Sequence, residues 1–439
     1  MQRFLIYVHI FKPYKNLNIE NAFEIGAKIL LLNVKFAKEN FRVMDIKSLL
    51  LTVLREREDE IINSLFSLNE SEWDALIATA MQHKLGPILY NTLKPYYSAL
   101  STPPQYQVLM RQIYFSSARR NMQLYNQLEE VLQKFAKEGI SVILLKGAYL
   151  AKYIYGNIAL RPMADIDLLV KQGSLNKAHC LLIDDGYSIT DSNFEEELPP
   201  YKKKGKIALE IHSHLKILPD KKNTDINKLW TKAEKVTIGK ADALTLCPED
   251  HFLHLCLHNC IQHRFENGLI ACTDTQFYLK HFKEKLNWEQ LWQLAQEWKI
   301  ERAVYLMLAL TEKLIKVPMP EQIRQGVEPD QDSINALSEA EELIFLQQRD
   351  VGKNLALIFG QMSLREKVKI IWNRIFLPKE IIKIDKKHRF FWSRLQSLYN
   401  SHRRTAWLAL RGDLQTIKAI ETQNRRSSLK DWLTYGEEP

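Results

Sequence analysis

The sequence predicts an α+β protein: a small mixed β-sheet core with a helical N-terminal lead-in and a largely helical C-terminal domain. Three observations predict it. Apolar residues recur at helical spacing from Asp45 to about Leu100 and again from Gln105 to Glu138. Short apolar runs, separated by glycine, proline and charged turns, fill the stretch from Gly139 to Cys247, and helical periodicity resumes at Pro248. The boundaries that follow are an N-terminal extension (1–43), the helical lead-in (44–138), the sheet core (139–247), a helical domain (248–375) and a basic helical tail (376–439).

Residues 1–43 are short, mixed, basic runs with no clear stripe before Phe23, so Met44 is the expected natural start. The lead-in then shows Leu49, Leu50, Val53 and Leu54 on one face, and Trp73, Leu76, Ile77 and Ala80 on another, with Ser71 as the expected N-cap. Pro103 and Pro104 break the pattern before one long amphipathic helix, which Gly139 stops. Ser141–Leu145 reads as a strand, Gly147–Tyr155 as a helix, Gly156–Ala164 as a loop and Asp165–Val170 as the next strand. Gln172–Asp185 is the next expected helix. Short strands are expected at Tyr187–Thr190, Lys206–His212, Lys235–Ile238 and Ala243–Leu246. Pro248 suits a helix start, and helices are expected at His251–His263, Leu269–His281, Trp288–Lys299, Glu301–Lys316, Ser338–Gly360 and Leu364–Ile375.

The chain has 439 residues, 46% of them hydrophobic, which suits a folded protein with a substantial core. Its longest apolar runs, such as Ala27–Val34 and Ser48–Leu54, fall far short of the ~20 residues a bilayer requires. No signal-cleavage pattern follows them, so a cytoplasmic protein without transmembrane segments is expected. Five cysteines with no CxxC pair point to reduced, mostly buried thiols. The net charge of +9 is uneven: Arg365 to Arg426 carries sixteen Lys or Arg against five Asp or Glu. Such a tail fits either a solvated helical face or an anionic partner. Nucleic-acid binding through it is the less favoured reading, because its tryptophans and phenylalanines are spaced as helix core.

The stretch Val142–Val170, VILLKGAYLAKYIYGNIALRPMADIDLLV, is where chemistry concentrates. Side chains alternate along a strand, so Asp165 and Asp167 share a face while Ile166 and Leu168 take the other. Glu210, between Leu209 and Ile211 in IALEIH, supplies a third carboxylate in the same manner. At about 4 Å two like charges repel by roughly 4 kcal/mol at an effective dielectric near 20, so a cation is expected among them. Paired carboxylates are oxygen ligands suited to Mg²⁺, or Mn²⁺ in its place, alongside substrate phosphates. The turn Lys146-Gly147-Ala148 between a strand and a helix is a candidate phosphate seat, although a glycine there is more often a plain turn. The histidine-rich run His251–His263 places His251, His254 and His258 on one face; zinc is conceivable, and a buried helix is the favoured reading. His212, His258 and Asp274 are candidates for the acceptor side of a cleft facing the carboxylates.

These residues resemble the polymerase-β-like nucleotidyltransferase superfamily. They are more closely similar to a bacterial nucleotidyltransferase family with LLKG, a tyrosine, RPMxDIDLLV and an ExH strand, here Leu144–Gly147, Tyr155, Arg161–Val170 and Glu210 with His212. The similarity extends through Pro248-Glu249-Asp250, Leu255–His258, Asp274 and the Trp288 region, covering roughly residues 45–400. The resemblance implies a Mg²⁺-dependent enzyme that moves a nucleoside monophosphate from an NTP, with ATP expected, to an unknown small-molecule or macromolecular acceptor. It implies that Asp165 and Asp167 hold metal and that Glu210 completes the site or acts as a base. Lys146 and Arg161 would offer charge to phosphate, with Arg161 equally suited to pinning Asp165 or Asp167 as an ion pair. The competing reading is a non-catalytic nucleotide- or partner-binding protein on the same fold.

Overall fold

The computed structural model describes residues 45–66, 68–189, 200–215, 226–327, 330–346, 425–426 and 428–434. It begins with α1 (Ile46–Leu54), α2 (Glu58–Leu65), α3 (Glu70–Gln82) and α4 (Gly86–Leu93), followed by the 34-residue α5 (Pro104–Lys137). α3 opens on a reciprocal cap: the Asn69 side chain accepts the Glu72 N–H at 3.0 Å, and the Glu72 carboxylate accepts the Asn69 N–H at 2.8 Å. Ser71, the expected cap, lies inside the helix, its hydroxyl donating to Asn69.

The sheet core comprises β1 (Val142–Leu144), β2 (Asp165–Val170), β3 (Ser188–Ile189), β4 (Tyr201–Lys202), β5 (Ala208–His212), β6 (Glu234–Ile238) and β7 (Ala241–Thr245). They form one sheet in the order β3-β4-β5-β2-β1-β7-β6. β1 runs antiparallel to β2 and parallel to β7, and β2 runs parallel to β5. The sheet is mixed, as expected of an α+β core. β4 was not expected: it is two residues in a basic stretch, anchored by Tyr201, which is 1% exposed and whose hydroxyl meets His179 Nδ1 at 2.9 Å. Between β1 and β2 lie α6 (Lys146–Tyr149), continued by a π turn at Leu150–Ile154, and the loop 156–164. α7 (Leu175–Asp184) follows β2, and α8 (Ile226–Lys232) precedes β6.

β1 and β2 are apolar on both faces beyond the two aspartates, and Ile143, Leu144, Ile166, Leu168, Leu169 and Val170 are fully buried. Burial of such side chains stabilises by roughly 1.5–3 kcal/mol each. Buried polar residues along α5 fix the segments that carry the site. Ser117 Oγ donates to the Ala159 carbonyl at 2.7 Å, Arg120 Nε to Met163 at 3.0 Å, and Asn121 Nδ2 to Arg161 at 2.9 Å. Nearly two turns further on, Gln127 clasps Ile207 through both its groups at 2.7 Å, setting the entry into β5. These side chains give partners to backbone groups that lie outside the strand pairing of β2 and β5.

The C-terminal helices are α9 (Pro248–Cys256, continued by a π turn at Leu257–Gln262), α10 (Ile270–Phe282), α11 (Trp288–Trp298), α12 (Glu301–Ile315), α13 (Glu321–Gly326) and α14 (Gln331–Leu346). α10 packs on α12 and on the π turn after α6, which brings the helical region against the sheet core. α14 begins at Gln331, ahead of the expected Ser338. The expected helix Leu364–Ile375, the extension 1–43 and most of the basic tail lie outside the described residues. At the tail's described end Arg426 is 1% exposed and pairs with Glu266 at 3.1 Å, so this part of it is docked and not a solvated face. No described helix is long and apolar enough to cross a membrane.

Candidate functional site

The parallel pairing of β2 with β5 sets Asp165 opposite Ala208, Asp167 opposite Glu210 and Leu169 opposite His212. Because side chains two apart share a face, Asp165, Asp167, Glu210 and His212 all stand on the same side of the sheet. Lys146 follows β1 directly, with φ +47, and its Nζ reaches Asp167 Oδ1 at 2.7 Å. A left-handed backbone costs a non-glycine residue of order 1–3 kcal/mol and persists only where the surroundings enforce it. Here the buried Lys146–Asp167 pair does so. His212 Nε2 meets the same Asp167 oxygen at 3.1 Å and lies 4.0 Å from Glu210 Oε2. Among the described residues, Asp167, Glu210 and His212 are the group of three whose donor atoms converge, all within 4.8 Å of one another.

The electrostatics separate the two aspartates. Burial raises Asp165, and the neighbouring Asp167 charge raises it further against the pull of Lys146, Lys84 and Arg161. Burial acts on Asp167 in the same sense, but Lys146 and His212 outweigh it and hold its carboxyl well below the usual range. Lys146 answers in kind: burial would lower it, and Asp167, Glu210 and Asp165 keep it above its ordinary value. Lys146 thus places one positive charge of the chain's own among the three acids.

Arg161 behaves differently from both sequence alternatives. Its guanidinium closes as a fork on Asp274 of α10, with Nε to Oδ1 at 3.2 Å and Nη2 to Oδ2 at 2.9 Å. Tyr155 donates to the same carboxylate at 2.7 Å, and Asp274 is 2% exposed. Asp274 thus clamps the helical region to the loop 156–164 and is already fully engaged. Gly147 also acquires a packing reason: a Cβ there would lie 2.9 Å from Arg161 Nη1 and 3.0 Å from Met163 Cγ. The room beside this glycine is filled by the Arg161 side chain, and Ala148, 1% exposed, gives its carbonyl to Tyr125.

On α9, His251, His254 and His258 are buried or half-buried in a row. Neither ring nitrogen of His251 or His254 has a hydrogen-bond partner among the described residues. Burial lowers His251 to about 3. Burial, then the nearby Lys146 charge, lowers His254 and His258 well below the usual imidazole range. These rings are held neutral. His258 contacts Gln262 at 3.2 Å and the His263 ring at 4.3 Å.

Two placements were missed from sequence. His212 sits among the carboxylates and not across the cleft from them. Lys84, at the end of α3 with φ +63, donates to Asn267 at 3.4 Å, and its charge is felt at Asp165. No motif marks Lys84; the only local signal is Gly86-Pro87, which opens the helix that follows it.

The comparisons with known proteins give one match. A family model described as "uncharacterised nucleotidyltransferase" fits residues 69–316, more than half of the chain and the whole of the site above. No curated protein and no solved structure matches.

Proposed function

The chain belongs to this family of uncharacterised nucleotidyltransferases, and on that premise we propose that it transfers a nucleoside monophosphate from an NTP to an acceptor hydroxyl or phosphate, releasing pyrophosphate. The observation that carries the reading is the register of β2 on β5, which aligns Asp167 with Glu210 and puts Asp165 on the same face, next to a buried lysine. Both contacts of Asp167 fall on Oδ1, and Glu210 keeps a side chain 30% exposed. Asp167 and Glu210 bring carboxylate oxygens within 4.8 Å of one another and of the His212 ring, a donor set that fits a divalent cation such as Mg²⁺.

In this reading Asp165, Asp167 and Glu210 would hold the metal, which would supply neutralisation of phosphate charge and favour in-line displacement. The acceptor oxygen forms a bond to the α-phosphorus as the bond to the bridging oxygen breaks, and the electron pair leaves with pyrophosphate. A hydroxyl acceptor gives its proton to Glu210. Lys146 and Lys84 place positive charge where the triphosphate would lie, with ATP as the first nucleotide to try. Arg161 contributes by fixing the loop through Asp274, and Gly147 and Ala148 by letting α6 pack closely beneath the site.

The test is incubation of the full chain with each α-labelled NTP, Mg²⁺ and a panel of sugars, alcohols, proteins and RNA ends. Labelled product together with pyrophosphate is the expected result. Absence of product with every acceptor, or full activity in Asp167→Asn, would sink the reading.

A further inference from the structure

We propose that His212 is a direct metal ligand, and that its nitrogen makes this site prefer a first-row transition ion such as Mn²⁺ over Mg²⁺. The inference rests on the nucleotidyl-transfer reading only for its premise that a divalent ion binds at the carboxylates. It starts from the strand: β5 presents Glu210 and His212 on one face, so the register that brings Glu210 to Asp167 brings the imidazole as well. The donor atoms of Asp167, Glu210 and His212 all lie within 4.8 Å of one another, within reach of a single ion. Six donors at about 2.1–2.2 Å from a common centre have neighbours roughly 3.1 Å apart and opposite members roughly 4.4 Å apart. The imidazole nitrogen is 3.1 Å from Asp167 Oδ1 and 4.0 Å from Glu210 Oε2, within that span.

A second observation marks the same place. His254 is 2% exposed, neither of its ring nitrogens is bonded among the described residues, and it lies within electrostatic reach of His212, Lys146 and Asp167. A buried imidazole without a hydrogen-bond partner among the described residues therefore lies within electrostatic reach of the cluster. Buried polar groups left in that condition cost about 1–3 kcal/mol each, a condition more usual at a ligand site than in a finished core. Mg²⁺ takes oxygen ligands and keeps its waters, whereas an imidazole nitrogen suits the later divalent ions, whose affinities rise from Mn²⁺ onward. The imidazole added to the carboxylates of Asp167 and Glu210, with Asp165 beside them, therefore gives a mixed set that an oxygen-only Mg²⁺ site would not contain.

The alternative is that His212 only donates to Asp167 and orients it. Spectroscopy separates the two. Full-length protein is titrated with Mn²⁺ alone and then with Mn²⁺ plus a nucleotide. Binding is read from loss of the free-ion paramagnetic resonance signal, and nitrogen coupling from electron spin-echo modulation in natural-abundance and ¹⁵N-histidine protein. The expected result is one bound ion with a histidine nitrogen coupling that changes on ¹⁵N labelling. Mg²⁺ should compete at least about tenfold less well than Mn²⁺. H212Q, which offers an oxygen in place of nitrogen, should lose the coupling and bring the two ions within about threefold of each other. A bound ion without histidine coupling overturns the inference while leaving the transfer reading intact. Histidine coupling without labelled transfer product leaves the inference standing and removes the other. No Mn²⁺ binding even with nucleotide removes both. The ¹⁵N comparison needs no substitution, so a poorly folding H212Q would not blunt it.

Discussion

The carboxylate-bearing edge of β2 and β5, central strands of the sheet, and the histidine row on α9 lie within electrostatic reach of one another, yet they handle buried polarity in opposite ways. At the edge, each buried charge has an opposite charge beside it: Lys146 on Asp167, and close by Arg161 on Asp274. On α9, His251 and His254 have no hydrogen-bond partner among the described residues, and burial holds them neutral. Charge is retained where an opposite charge stands beside it and discharged where it would only be desolvated. The contrast also runs within the edge. The Arg161–Asp274 fork is bidentate and joined by Tyr155, so it is closed to other partners, whereas Lys146 meets Asp167 through a single oxygen.

The sharpest test of that division is to discharge one member of each edge pair. Asp167→Asn should lower label transfer from NTP by about 10³-fold, the order of loss for a removed electrostatic stabiliser, with circular dichroism unchanged. Retention of more than a tenth of the activity would move the reaction away from the sheet edge. Asp274→Ala should act instead on stability, because it strands the Arg161 guanidinium and the Tyr155 hydroxyl in the core. A loss of roughly 3–5 kcal/mol in urea denaturation is expected. A loss below about 1 kcal/mol would show that the two pairs do not differ in kind.

How far the sequence could be read follows the same line. Asp165, Asp167 and Glu210 were legible because strand alternation is local and the register needed only two hydrophobic runs to align. The role of Arg161 was not, since its partner Asp274 lies 113 residues away on another helix and nothing short-range distinguishes a phosphate fork from a carboxylate fork. His212 was legible as part of an ExH strand but misplaced, because its distance from Asp167 depends on the diagonal across two strands. Asn69 lost out to Ser71 as a cap because both are good cap residues, and the choice turned on the Asn69–Glu72 reciprocity. The two-residue β4 had no periodicity to read.

The histidine row gives a test of intermediate size. An unfolded histidine ionises near 6.5 and folded His251 at about 3. Between those values the unfolded chain binds the extra proton, so stability falls as pH drops, by at most about 1.4 kcal/mol per pH unit. His251→Phe keeps an aromatic ring against Tyr149, which meets His251 edge-on at 4.7 Å, and removes the titrating group. Between pH 7 and pH 5 the unmodified chain should lose up to about 2 kcal/mol more stability than this variant. Parallel pH profiles would mean that His251 finds a proton acceptor when charged, and the contrast with the sheet edge would fail there.

The smallest expected effect tests whether the edge extends to the helical lead-in. Lys84 is in the left-handed region at φ +63, so Lys84→Gly removes the charge while suiting the backbone better than lysine does. Any loss of function can then be assigned to the side chain and not to strain. If Lys84 contributes to triphosphate binding from across the site, its removal should raise KM for the NTP by about tenfold, or roughly 1.4 kcal/mol, with kcat little changed. The difference should shrink as salt is raised from about 50 mM to 500 mM, because a partly exposed charge is screened. Lys84→Arg should recover most of the binding. An unchanged KM at low salt would confine the nucleotide to the sheet and α9, and the charge of Lys84 would then serve only to ease the burial of Asp165.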